Sequence, residues 1–111
     1  MSSIFDRLAK RSAFPLDIDG VVIHITEPTM GQISRIQKLD VNDATGLAFG
    51  LCLVDSNGVR EFSELDGETD EGFSRRIMAM TSNCTVSTIK EISKAILRLA
   101  KPVEEDTLIK N

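Results

Sequence analysis

Residues 47–62 read Leu47-Ala48-Phe49-Gly50-Leu51-Cys52-Leu53-Val54, then Asp55-Ser56-Asn57-Gly58, then Val59-Arg60-Glu61-Phe62. An apolar run rich in small residues empties into an acidic turn, and a short β-prone return ends on phenylalanine. The segment lacks the groups that would give it chemistry. Its thiol has no base nearby in sequence, and its glycine turn lacks the lysine of a phosphate loop. Its acidic groups are also wrongly spaced for calcium. An EF-hand loop needs acidic groups at positions 1, 3 and 5, Gly at 6 and Glu at 12. Counted from Asp55, Gly58 falls at position 4; counted from Asp66, position 6 is Glu71 and position 12 is Ile77. The segment reads as a core element that presents a turn, which directs attention to partners rather than catalysis.

Upstream, Asp19-Gly20 is a two-residue hairpin signal, because a type I′ turn needs positive φ at both central positions. That turn sets Ile18 opposite Val21, Leu16 opposite Ile23 and Phe14 opposite Ile25. All six are apolar and share one face, and a one-residue slip would scatter them. Pro15, Asp17, Val22 and His24 form the wetter face. A lone hairpin is unstable in water, so its apolar face must cover a helical core.

Helical spacing accounts for most of the rest. Thr29 through Gln32 fits a capping box, and Met30, Ile33 and Ile36 mark an inward stripe. Asp43 is placed to cap the next helix, which holds Ala44, Leu47, Ala48, Leu51 and Cys52 and runs on toward Val54. A third helix near 70–81 carries Phe73, Ile77 and Met80, with Asp70 and Glu71 in the first turn where the dipole favours them. The last, near 86–101, has a wide stripe of Val86, Ile89, Ile92, Ile96, Leu97 and Ala100 and stops at Pro102. At the front, Ser2 or Ser3 caps a short helix with Ile4, Phe5 and Leu8 on one side and Lys10 and Arg11 at its end. That helix either docks on its own domain or acts as an arm on a neighbouring copy. Ile4, Phe5 and Leu8 are therefore the candidate self-association residues. The fold expected is mainly α with a small N-terminal β-hairpin, an α+β single domain of four to five short helices. Residues 1–12 form the N-terminal helix or arm, 13–101 the globular domain and 102–111 a flexible acidic tail.

The 111 residues allow one ordinary domain, and an apolar content of 41% suffices for a core. With five Phe and no Trp or Tyr, that core is aliphatic. A net charge of −4 leaves no basic footprint for nucleic acid. Acidic residues at 64–71 and 104–106 read as solvated loop and tail. Three basic residues near the N-terminus are too few to hold a membrane, and the run 47–54 is too short to span one. The first residues show no export signal, so Cys52 and Cys84 are expected as two buried thiols in a reducing cytoplasm. The one histidine, His24, lies on the outer hairpin face, away from either thiol. Two cysteines 32 positions apart with one distant histidine do not make a zinc site. No enzyme and no cofactor is expected. The Gly46-x-x-x-Gly50 spacing admits a close helix, either within the molecule or, as the lesser alternative, between subunits.

The order of these pieces resembles the tail assembly chaperones of long-tailed bacteriophages and prophages. The resemblance spans about residues 13–100. It rests on the hairpin Phe14-Pro15-Leu16 … Val21-Val22-Ile23-His24-Ile25, the helix opening at Glu27-Pro28-Thr29, and Leu51-Cys52-Leu53-Val54 before Asp55-Ser56-Asn57-Gly58. Its sharpest part is the Asp-x-x-Gly-x-x-x-Phe segment from Asp55 to Phe62, ahead of Leu65 and two terminal helices. The resemblance implies a non-enzymatic protein of the host cytoplasm, absent from the finished virion. Its implied partners are the tape-measure protein, the tail-tube protein and further copies of itself. A different class of role, a small bacterial regulatory adaptor or inhibitor acting on a folded target, stands as the alternative.

Overall fold

The computed structural model describes Ile4 and residues 12–100. The expected helix over 1–12, apart from Ile4 and Ser12, and the acidic tail over 102–111 lie outside the described residues. The hairpin forms in the predicted register: β1 (Phe14–Ile18) pairs antiparallel with β2 (Val21–Ile25), with Phe14 facing Ile25, Leu16 facing Ile23 and Ile18 facing Val21. Asp19 and Gly20 take φ of 51° and 86°, the positive values the tight turn requires. Asp17 Oδ1 accepts the Gly20 N–H at 2.8 Å and closes it.

Four helices follow among the described residues: α1 (Met30–Gln37), α2 (Val41–Cys52), α3 (Asp70–Met80) and α4 (Val86–Ala100). The α1 capping box is complete, with Thr29 Oγ1 accepting the Gln32 N–H at 3.1 Å and Gln32 Oε1 accepting the Thr29 N–H at 2.9 Å. At α2 the cap is Asp40, not Asp43. Asp40 has the extended φ/ψ a cap needs, and its carboxylate accepts the Asp43 N–H at 2.9 Å. Asp43 sits one turn inside, where Arg75 of α3 reaches it at 3.3 Å.

The second correction concerns the run 47–54. The helix stops at Cys52, and Leu53–Val54 becomes β3, pairing antiparallel with β2 through Ile25–Leu53 and His24–Val54. The sheet order is β1-β2-β3. Cys52 still contributes, since its carbonyl accepts the Thr26 N–H at 2.9 Å. The acidic turn then folds back tightly. Asp55 Oδ1 accepts the Asn57 and Val59 N–H groups, Gly58 adopts φ of 83°, and Glu61 donates to the Leu53 carbonyl at 3.0 Å. Residues 59–61 thus continue the ladder beside β3. The outer sheet face is for that reason not uniformly wet, and Val54, which shares it with His24, is buried.

One core joins hairpin and helices. Ile18 and Ile25 pack with Leu47, Phe49, Leu51, Cys52, Phe73, Ile77, Ile92 and Ile96. The architecture is a mostly helical α+β domain with the hairpin as its lid. The small-residue stripe proves intramolecular. A Cβ on Gly46 would run into Ser74, coming within 2.6 Å of its carbonyl oxygen, and one on Gly50 would strike Ile77 and the Phe73 ring. The stripe therefore sets the close crossing of α2 over α3.

Candidate interaction groove

The predicted inward stripes are wider than the faces the fold buries. Met30, Met80, Val86 and Leu97 point outward, whereas Ile92 and Ile96 carry α4 onto the core. One face of the 15-residue α4 packs inward, with Ile92 and Ile96 buried and Ile89, Ala95 and Leu99 against the core, which leaves Val86 and Leu97 outside it. The surface is hollowed between the hairpin and the start of α4. The gap between them is a groove of about 410 Å³, walled by Ile18, Val21 and Ile23 of the hairpin, Phe49 of α2, and Ile89 and Ile92 of α4. A second hollow of about 390 Å³ lies across the α3–α4 turn, lined by Met78, Val86 and Lys90 among others. The two share Thr81, Cys84 and Ile89 and so adjoin as a furrow in two parts at that turn.

Local hydrogen bonds shape the turn between the two hollows. Thr81 ends α3 with its hydroxyl donating to the Ile77 carbonyl at 3.1 Å, and the Cys84 N–H returns to the Thr81 carbonyl at 3.0 Å. Thr85 Oγ1 then accepts the Thr88 N–H at 3.2 Å, starting α4 in the manner of a cap. The turn, closed by these hydrogen bonds, leaves Cys84 exposed. The expectation of two buried thiols holds for Cys52 and fails for Cys84, because the Cys84 backbone runs over the surface between helices. Val21 at the hairpin-side hollow is 63% and Val86 at the second hollow 69% exposed, large values for β-branched apolar side chains.

A polar belt that sequence reading missed ties α1, α3 and the loop before α3 together. The acidic loop 63–69 is not simply solvated. Arg35 of α1 bonds both Glu64 and Asp70 at 2.7 Å, and Arg60 reaches Glu64 at 3.2 Å. Arg76 of α3 holds Glu68 at 2.9 Å, donates to the Ser63 carbonyl at 2.7 Å and lies over the Phe73 ring at 5.2 Å. The hydrogen bond to Asp70 is the main reason Arg35 is held above its ordinary pKa. Burial pushes the Glu64 carboxyl up, but the hydrogen bonds from Arg35 and Arg60 outweigh it and leave Glu64 below the usual carboxylate range. The Arg76 hydrogen bond lowers Glu68 in the same direction. These arginines are saturated by protein carboxylates, so the belt fastens a loop.

Among the candidate residues from sequence, Ile4 is 57% exposed, while Phe5 and Leu8 lie outside the described residues. His24 stands across from Pro15 as predicted. Strand alternation turns it to the face opposite Ile25, whereas Cys52 belongs to the same core cluster as Ile25. Among the described residues no group of three or more His, Cys, Asp or Glu is placed to hold a metal ion, and no helix is long and apolar enough to cross a membrane. The groove residues Val21, Val86 and Ile89 were visible in sequence only as parts of apolar stripes. The one available signal was that the α4 stripe is wider than a single helix face needs. Compared with protein-family models, curated proteins and solved structures, the chain matches none.

Proposed function

We propose that the chain is a non-enzymatic assembly chaperone of a phage or prophage tail, which holds apolar helical segments of the tape-measure protein until the tail tube forms around them. The observation that carries this reading is the furrow between the hairpin turn and the start of α4. Its hairpin side is walled mainly by apolar side chains, and the adjoining hollow across the α3–α4 turn adds Met78 and Val86 among polar neighbours such as Asn42, Thr45 and Lys90. A benzene-sized engineered cavity measures about 150 Å³. The hairpin-side hollow alone is nearly three times that, room for two or three large side chains of an amphipathic helix presented at i, i+3 and i+4. The protein acts in the bacterial cytoplasm and leaves before the particle is complete.

The test is co-expression with fragments of the tape-measure protein taken from the neighbouring genes. Retention on the tagged chaperone, lost with Val21→Glu and Val86→Glu, is the expected result. Both sites are exposed, so these variants keep the fold, which circular dichroism verifies. If no tape-measure fragment is retained by the native protein, or if the charged variants retain fragments equally well, the proposal fails.

A further inference from the structure

The chain has asparagine at positions 42, 57, 83 and 111, and only Asn57 is followed by glycine. An asparagine side chain can cyclise onto the backbone nitrogen of the next residue. Glycine there favours the reaction, because no side chain keeps that nitrogen from the amide carbon. Asn42 lies inside α2 ahead of the buried Asp43, and Asn83 is followed by Cys84. Asn57 and Gly58 both stand exposed at the tip of the acidic turn, and the place a Gly58 Cβ would take has nothing within 4 Å. The same turn restrains the reaction. Cyclisation needs the Gly58 nitrogen to give up its proton and approach the Asn57 side chain. In the folded turn that N–H donates to the Asp55 carbonyl at 3.0 Å. Asp55 Oδ1 accepts the Asn57 N–H at 2.8 Å and the Val59 N–H at 3.0 Å, and the Asp55 N–H donates to the Val59 carbonyl at 2.8 Å. Asp55 therefore holds the N–H groups of 57, 58 and 59 in succession.

We propose that Asn57-Gly58 is a deamidation site and that Asp55 is the latch that keeps it slow in the folded protein. When the turn opens, the Gly58 nitrogen loses its proton to solvent and attacks the carbonyl carbon of the Asn57 side chain. The new C–N bond closes a succinimide ring, and the amide nitrogen leaves as ammonia, taking a proton back from solvent. One water then opens the ring at either carbonyl and leaves aspartate or isoaspartate at position 57. Water is the only co-reactant, ammonia the only by-product, and nothing is oxidised or reduced. Isoaspartate carries the main chain through the side-chain methylene, so the backbone between 57 and 58 is one carbon longer. Either product also adds a negative charge two positions from Asp55. The lengthened turn cannot keep Gly58 and Val59 on Asp55 together with the return, where Val54 bridges Arg60 and the Glu61 N–H meets the Leu53 carbonyl. Phe62, which packs against the core just beyond, is loosened with it. The site stands apart from the furrow, so the inference is independent of what the chain binds.

The test incubates the full chain in warm, mildly alkaline buffer and follows residue 57 by peptide mass spectrometry, which reads the replacement of the amide by a carboxyl. Labelling with an isoaspartate methyltransferase identifies the lengthened product. Native protein, Asp55→Ala and native protein unfolded in guanidinium chloride run side by side. Asp55→Ala is expected to convert at least about ten-fold faster than native, since one hydrogen bond to a charged group is worth that factor in turn opening. The unfolded chain is expected to be fastest, with Asn42 and Asn83 slower than Asn57 throughout. Circular dichroism, and a Cys52 that stays closed to iodoacetamide, verify that Asp55→Ala is folded. If it is not, Asp55→Asn, which keeps an acceptor oxygen without the charge, takes its place and is expected to convert between the native and unfolded rates. A folded Asp55 variant that converts no faster than native overturns the latch, as does a native protein that converts as fast as the unfolded chain. An unfolded chain in which Asn57 converts no faster than Asn83 overturns the site itself.

Discussion

Gly46→Ala is expected to destabilise the fold, although alanine is the better helix former. In the middle of a helix the exchange ordinarily gains about 1 kcal/mol. Here the new methyl would enter the α2–α3 crossing, overlapping the Ser74 hydroxyl and lying 2.6 Å from the Ser74 carbonyl oxygen and 3.0 Å from Met78. Met78 can swing aside. A carbonyl of the facing helix cannot, so the axes must part by roughly half an ångström over a core containing Phe73 and Ile77. Overpacking of this kind costs about 1–3 kcal/mol. With backbone as the obstacle we take the upper end, leaving a net loss of about 2 kcal/mol. Because there is no Trp or Tyr to report by fluorescence, the assay is urea unfolding followed by circular dichroism. A slope of 1–3 kcal/mol per M turns that loss into a midpoint lowered by roughly 1 M. Ser74→Ala supplies the partner arm of a double-mutant cycle. Its hydroxyl is buried and makes no hydrogen bond, so the single variant changes little, and the pair recovers only part of the loss because the carbonyl remains. Gly31→Ala is the control: it sits in α1 with nothing nearer than 4.0 Å, and it should stabilise by about 0.5 kcal/mol. If Gly46→Ala matches or exceeds the native protein in stability, the close crossing is not as described.

Three further outcomes are expected. Cys84 should react with iodoacetamide in the native protein within minutes, while Cys52 reacts only after unfolding; mass spectrometry of the labelled peptides decides this, and equal rates would contradict the burial. Glu64 and Glu68 have folded-state pKa values below their unfolded ones, so their contribution is intact above about pH 4.3 and is lost as pH falls through the lowered values. The urea midpoint should accordingly stay level from pH 7 to 5 and decline below about pH 4.5, with a shallower decline in Arg35→Gln; an equal decline in both would remove Arg35 from the cause. Gly58→Ala, at φ of 83° in open space, should lower stability by about 1 kcal/mol through strain alone, and thermal unfolding within a degree of native would refute that.

The parts of this fold that were legible in sequence are those fixed by neighbours along the chain. The Asp19-Gly20 turn determined the hairpin register because side chains alternate with period two, and Thr29 with Gln32 determined a helix start three residues apart. The boundaries of α3 and α4 also followed from spacing. What escaped was decided by partners far along the chain. Leu53 and Val54 suit a helix or a strand equally, and β2, nearly 30 residues earlier, chose strand. Asp40 and Asp43 are both acceptable caps, and only backbone geometry separates them. Glu64 and Asp70 look like solvated charge until Arg35 is found beside them, 29 and 35 positions away. The groove was hidden for a similar reason. An apolar stripe on α4 does not reveal which of its turns the sheet will reach, so Val86 and Leu97 were read as core and stand outside it.

The hairpin has a further consequence for the order in which the molecule comes together. Ile18 and Ile25 of the hairpin share a core with Ile92 and Ile96, which leave the ribosome about 70 positions later. At 5–20 residues per second, the 71 positions from Ile25 to Ile96 take roughly 4–14 s to emerge. The β2 edge is unpaired until Leu53 and Val54 emerge, and part of the hairpin's apolar face stays uncovered until Ile92 and Ile96 follow, a state open to capture by other chains. The covering step belongs to the last helix, so truncations within α4 should leave a protease-sensitive chain even though every strand is present.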